Sequence, residues 1–315
     1  MSRVVVTGGA GFVGSHLCKA LLARGDEVVC VDNLSTGSMA NVDRLAADAH
    51  FTFVQGDVSD ELHIDGRIDA VAHLACPASP PDYLRLPLET LAAGSGGTEW
   101  GLRLAERYGG RFLLASTSEI YGEPTVHPQP ESYWGNVNPI GPRSVYDESK
   151  RFAEALTMAH HRALGADVGI VRIFNTYGPQ MRLDDGRVVS NFVTQALGNR
   201  PLTVYGDGAQ TRSICYVDDL VGGLVAMLDS SHTGPFNLGN PTELTMMELA
   251  HLVVELTGAS VEIVHRPLPE DDPTRRRPDI TRAREALGWR PTISPREGLQ
   301  RTIEWFKTHV ETATP

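Results

Sequence analysis

The chain has 315 residues, a formal net charge of -11 at neutral pH and four cysteines. That charge argues against a nucleic-acid partner, whose hold would rest on clustered Lys and Arg, and no segment approaches the eighteen or so uninterrupted apolar residues of a membrane span. Cys18, Cys30, Cys76 and Cys215 have no CxxC or His spacing, so free thiols are expected in place of a metal site or disulfide framework.

The first apolar run, RVVVTG, begins at residue 3, which leaves no room for a leader peptide and points to a soluble cytoplasmic protein. Short β-branched runs follow in order: EVVCVD, FTFVQGD, DAVAHLA, RFLLAST and VGIVRIFN. Between most of them lie ten to twenty residues with apolar spacing of three and four, as at Phe12, Val13, His16, Leu17, Ala20 and Leu21. Strand, helix, strand in succession predicts right-handed crossovers and an α/β fold, a Rossmann-type doubly wound parallel sheet. Beyond residue 178 the regularity fades into Pro- and Gly-containing loops, which predicts a smaller C-terminal lobe on the carboxyl edge of the sheet. The expected division is a cofactor domain over 1–178, rejoined by 212–238, and a substrate lobe over 179–211 and 239–310.

VVVTGGAGFVGSHL sets Gly9, Gly11 and Gly14 as GxGxxG, one residue after Gly8, between a strand and an amphipathic helix. Glycines suit a tight turn, a close approach to a pyrophosphate and close helix packing. Asp32 closes the next strand, where it can accept from both adenosine ribose hydroxyls and repel a 2′-phosphate; no Arg follows it in VDNLSTG. NAD is therefore the expected cofactor. Phe12, Val13, Asn33, Val58 and Leu74 join Gly8, Gly11, Gly14 and Asp32 as candidate cofactor contacts, with Asp57 of GDVSD expected beside the adenine.

In LLASTSEIYG, residues 113–122, the apolar run gives way to Thr117, Ser118 and Glu119, three polar residues in a row. A buried strand that stops this way has reached solvent or chemistry. One crossover later, Tyr146 and Lys150 are four apart and share a helix face. A cation beside a phenol lowers its pKa, and a phenol so tuned can take a proton from a sugar hydroxyl as hydride leaves. His73 reads as a core histidine and Cys76 as a lining thiol; His160 and His161 are expected to be exposed.

Together the glycine motif, the strand-end Thr-Ser-Glu and YxxxK resemble the extended short-chain dehydrogenase/reductase family. More narrowly, ASPPDYLRLPLETL, LLASTSEIYG, HPQPESYWGNVNPIGPRSVYDESKR, RIFNTYGP, DDGRVVSNFV, LTVYGDGAQTRS, FNLGNP and DDPTRRRPDI resemble UDP-glucuronate decarboxylases. The resemblance implies Tyr146 as base with Lys150 beside it, Thr117 at the oxygen on carbon 4, Ser118 and Glu119 as a second active-site pair, and Arg276 as the active-site arginine. It also implies that Asn175, Arg212 and the backbone at Val189 and Tyr205 hold the UDP part, and that the chain pairs as a homodimer.

Chemistry separates the siblings. A 4,6-dehydratase must expel a hydroxyl, and Ser118 is no acid at neutral pH; 4-epimerase relatives have a small neutral residue where Glu119 stands. A cofactor-binding regulator without turnover would have no need of Thr117, Glu119, Tyr146 and Lys150 together. The chain departs from the family at Gly94, where many relatives have Asn and where three glycines in four residues should weaken a helix. It departs again at Ile214 and Cys215, in place of an aromatic and Gln.

Overall fold

The computed structural model describes residues 1–268 and 275–310. In chain order the strands are β1 (Arg3–Thr7), β2 (Glu27–Asp32), β3 (Phe51–Gln55), β4 (Ala70–His73), β5 (Arg111–Thr117), β6 (Val168–Ile173), β7 (Thr176–Tyr177), β8 (Leu202–Tyr205), β9 (Thr211–Ser213), β10 (Cys215–Tyr216), β11 (Phe236–Leu238), β12 (Glu243–Thr245), β13 (Ile263–Arg266) and β14 (Arg275–Arg276). The helices are α1 (Phe12–Ala23), α2 (Pro80–Arg85), α3 (Pro87–Ala92), α4 (Thr98–Tyr108), α5 (Ser144–Leu164), α6 (Val188–Leu197), α7 (Val217–Leu228), α8 (Met246–Thr257), α9 (Thr281–Leu287) and α10 (Pro295–Val310).

Seven strands pair in the order β11-β6-β5-β4-β1-β2-β3, all parallel. Such strands are buried on both faces, which is why they read as continuous apolar runs. Val4 and Val6 face one core with Leu17, Leu21 and Leu113, while Val5 faces the other with Val29, Val31, Phe112 and Leu114. Each fully buried aliphatic side chain contributes roughly 1.5 to 3 kcal/mol, so alternate residues of one strand secure helices on opposite faces. The chain order reverses between β1 and β4, and a crevice at the carboxyl ends of strands is expected there.

The strand order also brings α7 against α1, so ICYVDDLVGGLVAMLD packs on the parallel sheet and leads to its edge strand β11. Three small sheets lie outside the seven-stranded one: β8 with β13, β7 with β10, and β9 between β12 and β14. In the last of these, Arg276 lies opposite Arg212. Asp271 to Thr274 of the DDPTRRRPDI motif lie outside the described residues.

The glycines at 94, 96 and 97 do not interrupt the helical path. Ala93–Gly97 form a π-helical turn that joins α3 to α4. A Cβ at Gly94 would stand 2.6 Å from the Cβ of Ser149 and 2.9 Å from its carbonyl oxygen, so this glycine allows α5 to approach closely. Ile214 and Cys215 are buried. His160 corrects the expectation of an exposed side chain: it is half-buried on α5, its ring nitrogens 2.6 Å from Glu106 and 2.9 Å from Glu99. His161 is half-buried as well, its Nδ1 2.9 Å from the Ala166 carbonyl oxygen.

Candidate active site

One cavity of about 600 Å3 runs from the glycine turn to Arg276, and every candidate cofactor, catalytic and substrate contact named from the sequence lines it; Gly9 of the glycine motif does not. At one end Gly8 has φ +68° and sits so close to the backbone of Ala75 that a Cβ would lie 2.8 Å from its nitrogen. A Cβ on Gly14 would lie 2.1 Å from the Gly8 carbonyl oxygen. No side chain fits between turn and helix, which leaves the amino end of α1 open to the cavity. Asp32 is buried and accepts from Ala10 N at 3.0 Å and Leu34 N at 2.8 Å. Burial pushes its carboxyl up, against the pull of these backbone donors. Asp57 accepts from Asn33 Nδ2 at 2.7 Å, which places both at the rim beyond β2. A glycine cradle with a buried carboxylate beyond it fits the pyrophosphate and adenosine ribose of NAD.

At the other end β5 terminates in chemistry. Thr117 caps a single 3-10 turn, Ser118–Tyr121, by accepting from Glu119 N, so the turn swings Glu119 over the cavity. Arg143 Nη2 donates to Glu119 Oε2 at 2.5 Å, and Arg276 reaches the same carboxylate with both Nη1 and Nη2, the latter at 3.0 Å. Burial opposes the charge of Glu119, yet the two guanidiniums outweigh it and hold the carboxyl down to about 2. Arg276 is thus forked onto Glu119, not aimed freely at the sugar position. The loop before α5 steadies it: Gln129 N donates to Arg277 O at 2.9 Å and Gln129 Oε1 accepts from Arg277 N at 2.8 Å.

Tyr146 and Lys150 share the inner face of α5, as their spacing required. The Lys150 ammonium donates to the Ala115 carbonyl at 2.9 Å, so it ties the helix to β5. The phenol does not follow the expected shift: burial dominates and pushes it well above its ordinary value, followed by the nearby Cys76, while the Thr117 hydroxyl pulls the other way. The Tyr83 ring stacks on Tyr146 with centroids 5.2 Å apart and planes 6° from parallel.

Several lining residues escaped the sequence reading. Arg143 carries a legible signal, since it precedes Tyr146 by three residues at the start of the same helix. Tyr83 had only its place after two prolines. Arg187 Nη2 is ion-paired with Asp185 Oδ2 at 2.7 Å, and Asp82 accepts from Ser79 Oγ at 2.6 Å and Arg182 Nη2 at 2.9 Å; the last of these joins residues 100 apart in the chain and has no local signal. Asn175, Val189, Tyr205 and Arg212 line the same cavity.

A doubly wound sheet with a glycine cradle, and a tyrosine-lysine pair facing a strand-end threonine, define a nicotinamide-dependent enzyme of the short-chain type. The model of the NAD dependent epimerase/dehydratase family matches residues 4–239, and the chain belongs to that family. It is 55% identical over 308 residues to UDP-glucuronic acid decarboxylase 1 of Arabidopsis thaliana, covering 98% of this chain and 70% of the relative. Among solved structures it resembles a UDP-glucose 4-epimerase with UDP-glucose from Thermotoga maritima, at 32% identity and a TM-score of 0.89, covering 98% of this chain and 99% of that one. A dTDP-glucose 4,6-dehydratase from Streptomyces venezuelae, with NAD bound, is 32% identical at a TM-score of 0.88, covering 99% of each.

Proposed function

We propose that this chain is a UDP-glucuronate decarboxylase that forms UDP-xylose and uses NAD catalytically. The observation that carries the reading is the Glu119 carboxylate fixed by Arg143 and Arg276 in the same cavity as Thr117 and Tyr146. NAD, when bound, accepts hydride from carbon 4 of the sugar and later returns it. Gly8, Gly11, Phe12, Val13, Gly14, Asp32, Asn33, Asp57, Val58, Leu74 and Lys150 would hold it.

Tyr146 takes the proton of the carbon-4 hydroxyl during oxidation, with Thr117 directed at the same oxygen. The resulting ketone is β to the carbon-6 carboxylate. Loss of carbon dioxide then leaves an enolate whose charge spreads to the carbon-4 oxygen, where hydrogen bonds from Tyr146 and Thr117 stabilise it. The proton added at carbon 5 comes from solvent, through a water that the ionised Glu119 and Arg276 would orient on that side of the pocket. Ser118 supplies no acid for a 6-hydroxyl leaving group, which disfavours dehydration.

In this reading Asn175, Arg212 and the backbone at Val189 and Tyr205 bind the UDP part. The lobe boundaries at 1–178 with 212–238, and at 179–211 with 239–310, belong to the same reading. So does a homodimer, supported by the exposed Leu88 and Leu91 of α3 and the exposed Phe152 of α5, two helices that pack together. A cytoplasmic location is supported by four free cysteines, three of them buried; no described helix is long and apolar enough to cross a membrane.

The test is incubation with UDP-glucuronate and sub-stoichiometric NAD, followed by product analysis. UDP-xylose in excess over NAD is the expected result. UDP-galacturonate would mean an epimerase, one NADH per sugar a releasing enzyme, and no turnover a regulator.

A further inference from the structure

Asp147 directly follows Tyr146 on α5 and is only 6% exposed. Its Oδ1 is buried without a hydrogen-bond partner among the described residues, and Asp147 is not one of the residues that line the cavity. A buried carboxylate oxygen without a donor costs several kcal/mol, so the site favours the neutral acid. The groups that face it are Glu119 from the turn after β5, Arg143 before α5, Arg276 from β14, Glu148 on its own helix and Tyr83 from α2. Burial, then the charge of Glu119, raise its carboxyl to about 7 against the pull of Arg143 and Arg276.

We propose that Asp147 is a positioning residue for an acidic sugar: as a neutral acid it leaves Arg143 and Arg276 to Glu119 and the incoming carboxylate, and as an anion it draws on both arginines and repels that carboxylate. The inference rests on the UDP-glucuronate reading, because only a substrate with a carboxylate feels the difference. The two states differ by one negative charge beside Glu119. UDP-glucose has the same nucleotide and no carboxylate, so it reports everything except that charge.

The experiment measures the affinities of the protein loaded with NADH, which cannot oxidise the sugar, for UDP-glucuronate and UDP-glucose, by calorimetry, from about pH 6 to about pH 9. In the parent, the ratio favouring UDP-glucuronate should fall with rising pH, by up to about tenfold per unit once Asp147 is ionised. Asp147→Asn, which cannot ionise, should hold that ratio constant. A constant ratio in the parent, or an equal fall in the variant, would overturn the proposal. Infrared spectra of parent protein carrying 13C-labelled aspartate give a second readout that needs neither substrate nor a folded variant: a protonated aspartate carboxyl band should disappear over the same range, and its absence would also overturn the proposal. The decarboxylase reading fails separately, if UDP-glucuronate binds and no carbon dioxide forms once NAD replaces NADH.

Discussion

Glu119 and Arg276 stand 157 residues apart in the chain and meet as a forked ion pair in the cavity, at the end of β5. Two unrelated elements make the contact possible. The 3-10 turn after β5 presents the carboxylate, and pairing of the two-residue strand β14 with β9 presents the guanidinium. In the proposed mechanism Arg276 therefore works together with Glu119 and not alone.

Arg276→Ala should leave NAD binding intact, since the glycine turn and Asp32 lie at the other end of the cavity. Release of carbon dioxide should fall by about a hundredfold or more, the range for losing a group that assists proton transfer. Glu119 keeps Arg143, so the stability loss should stay below the roughly 3 to 5 kcal/mol of a fully broken buried pair. Single-turnover measurement of carbon dioxide and enzyme-bound NADH checks this. A variant that decarboxylates at the parent rate would remove Arg276 from the reaction.

Tyr146→Phe removes the phenol while keeping the ring stacked on Tyr83. The first oxidation should fall by about 10² to 10⁴, as for a lost general base, and binding of UDP-glucuronate should change little. Stopped-flow absorbance for NADH formation separates the two. Near-normal turnover would assign the base elsewhere.

The parallel sheet was legible because its strands are β-branched runs separated by amphipathic stretches, and the cofactor end because the glycine spacing and Asp32 are local features. Tyr146 and Lys150 were legible as a helix face. The expected lowering of the Tyr146 phenol was not, because spacing registers Lys150 and is blind to the depth of burial, which dominates. Arg276 could be named only by resemblance: a two-residue strand has no pattern of its own, and its place depends on β9 and Gln129. The pairing of His160 with Glu99 and Glu106 was hidden for a similar reason, since it joins two helices.

His73 links stability to pH. It is buried at the end of β4, with Nδ1 2.9 Å from Thr7 Oγ1; the Thr7 oxygen already accepts from Leu74 N and Ala75 N, so its own proton points at the ring. Burial, then the charge of Lys150, lower the imidazole to about 3 from 6.5. Because the folded pKa is depressed, the unfolded chain binds the extra proton across that window, and stability falls as pH drops from 6.5 towards 3. The loss is about 1.4 kcal/mol per pH unit. Urea unfolding at about pH 7 and about pH 5 should cost the parent about 2 kcal/mol more than His73→Asn; an equal loss in both would show that His73 is not the group that titrates.

Gly94 is the departure from the family pattern with the clearest structural consequence. Helix propensity alone would make Gly94→Ala stabilising by about 1 kcal/mol. The added methyl would, however, lie 2.6 Å from the Ser149 Cβ and 2.9 Å from the Ser149 carbonyl oxygen, neither of which is the free end of a flexible side chain. Overpacking of this kind costs roughly 1 to 3 kcal/mol, so the net effect should be a loss of stability. The functional effect should be larger than the thermal one suggests: Ser149 immediately precedes Lys150, and separation of α5 from the π-helical turn would disturb the 2.9 Å bond from Lys150 to Ala115. Calorimetric unfolding and the rate of NADH formation, measured on the same preparation, should both fall for Gly94→Ala. A variant with a higher unfolding temperature and unchanged rate would show that α5 yields there without cost, and that the glycine serves neither packing nor the Tyr146–Lys150 face.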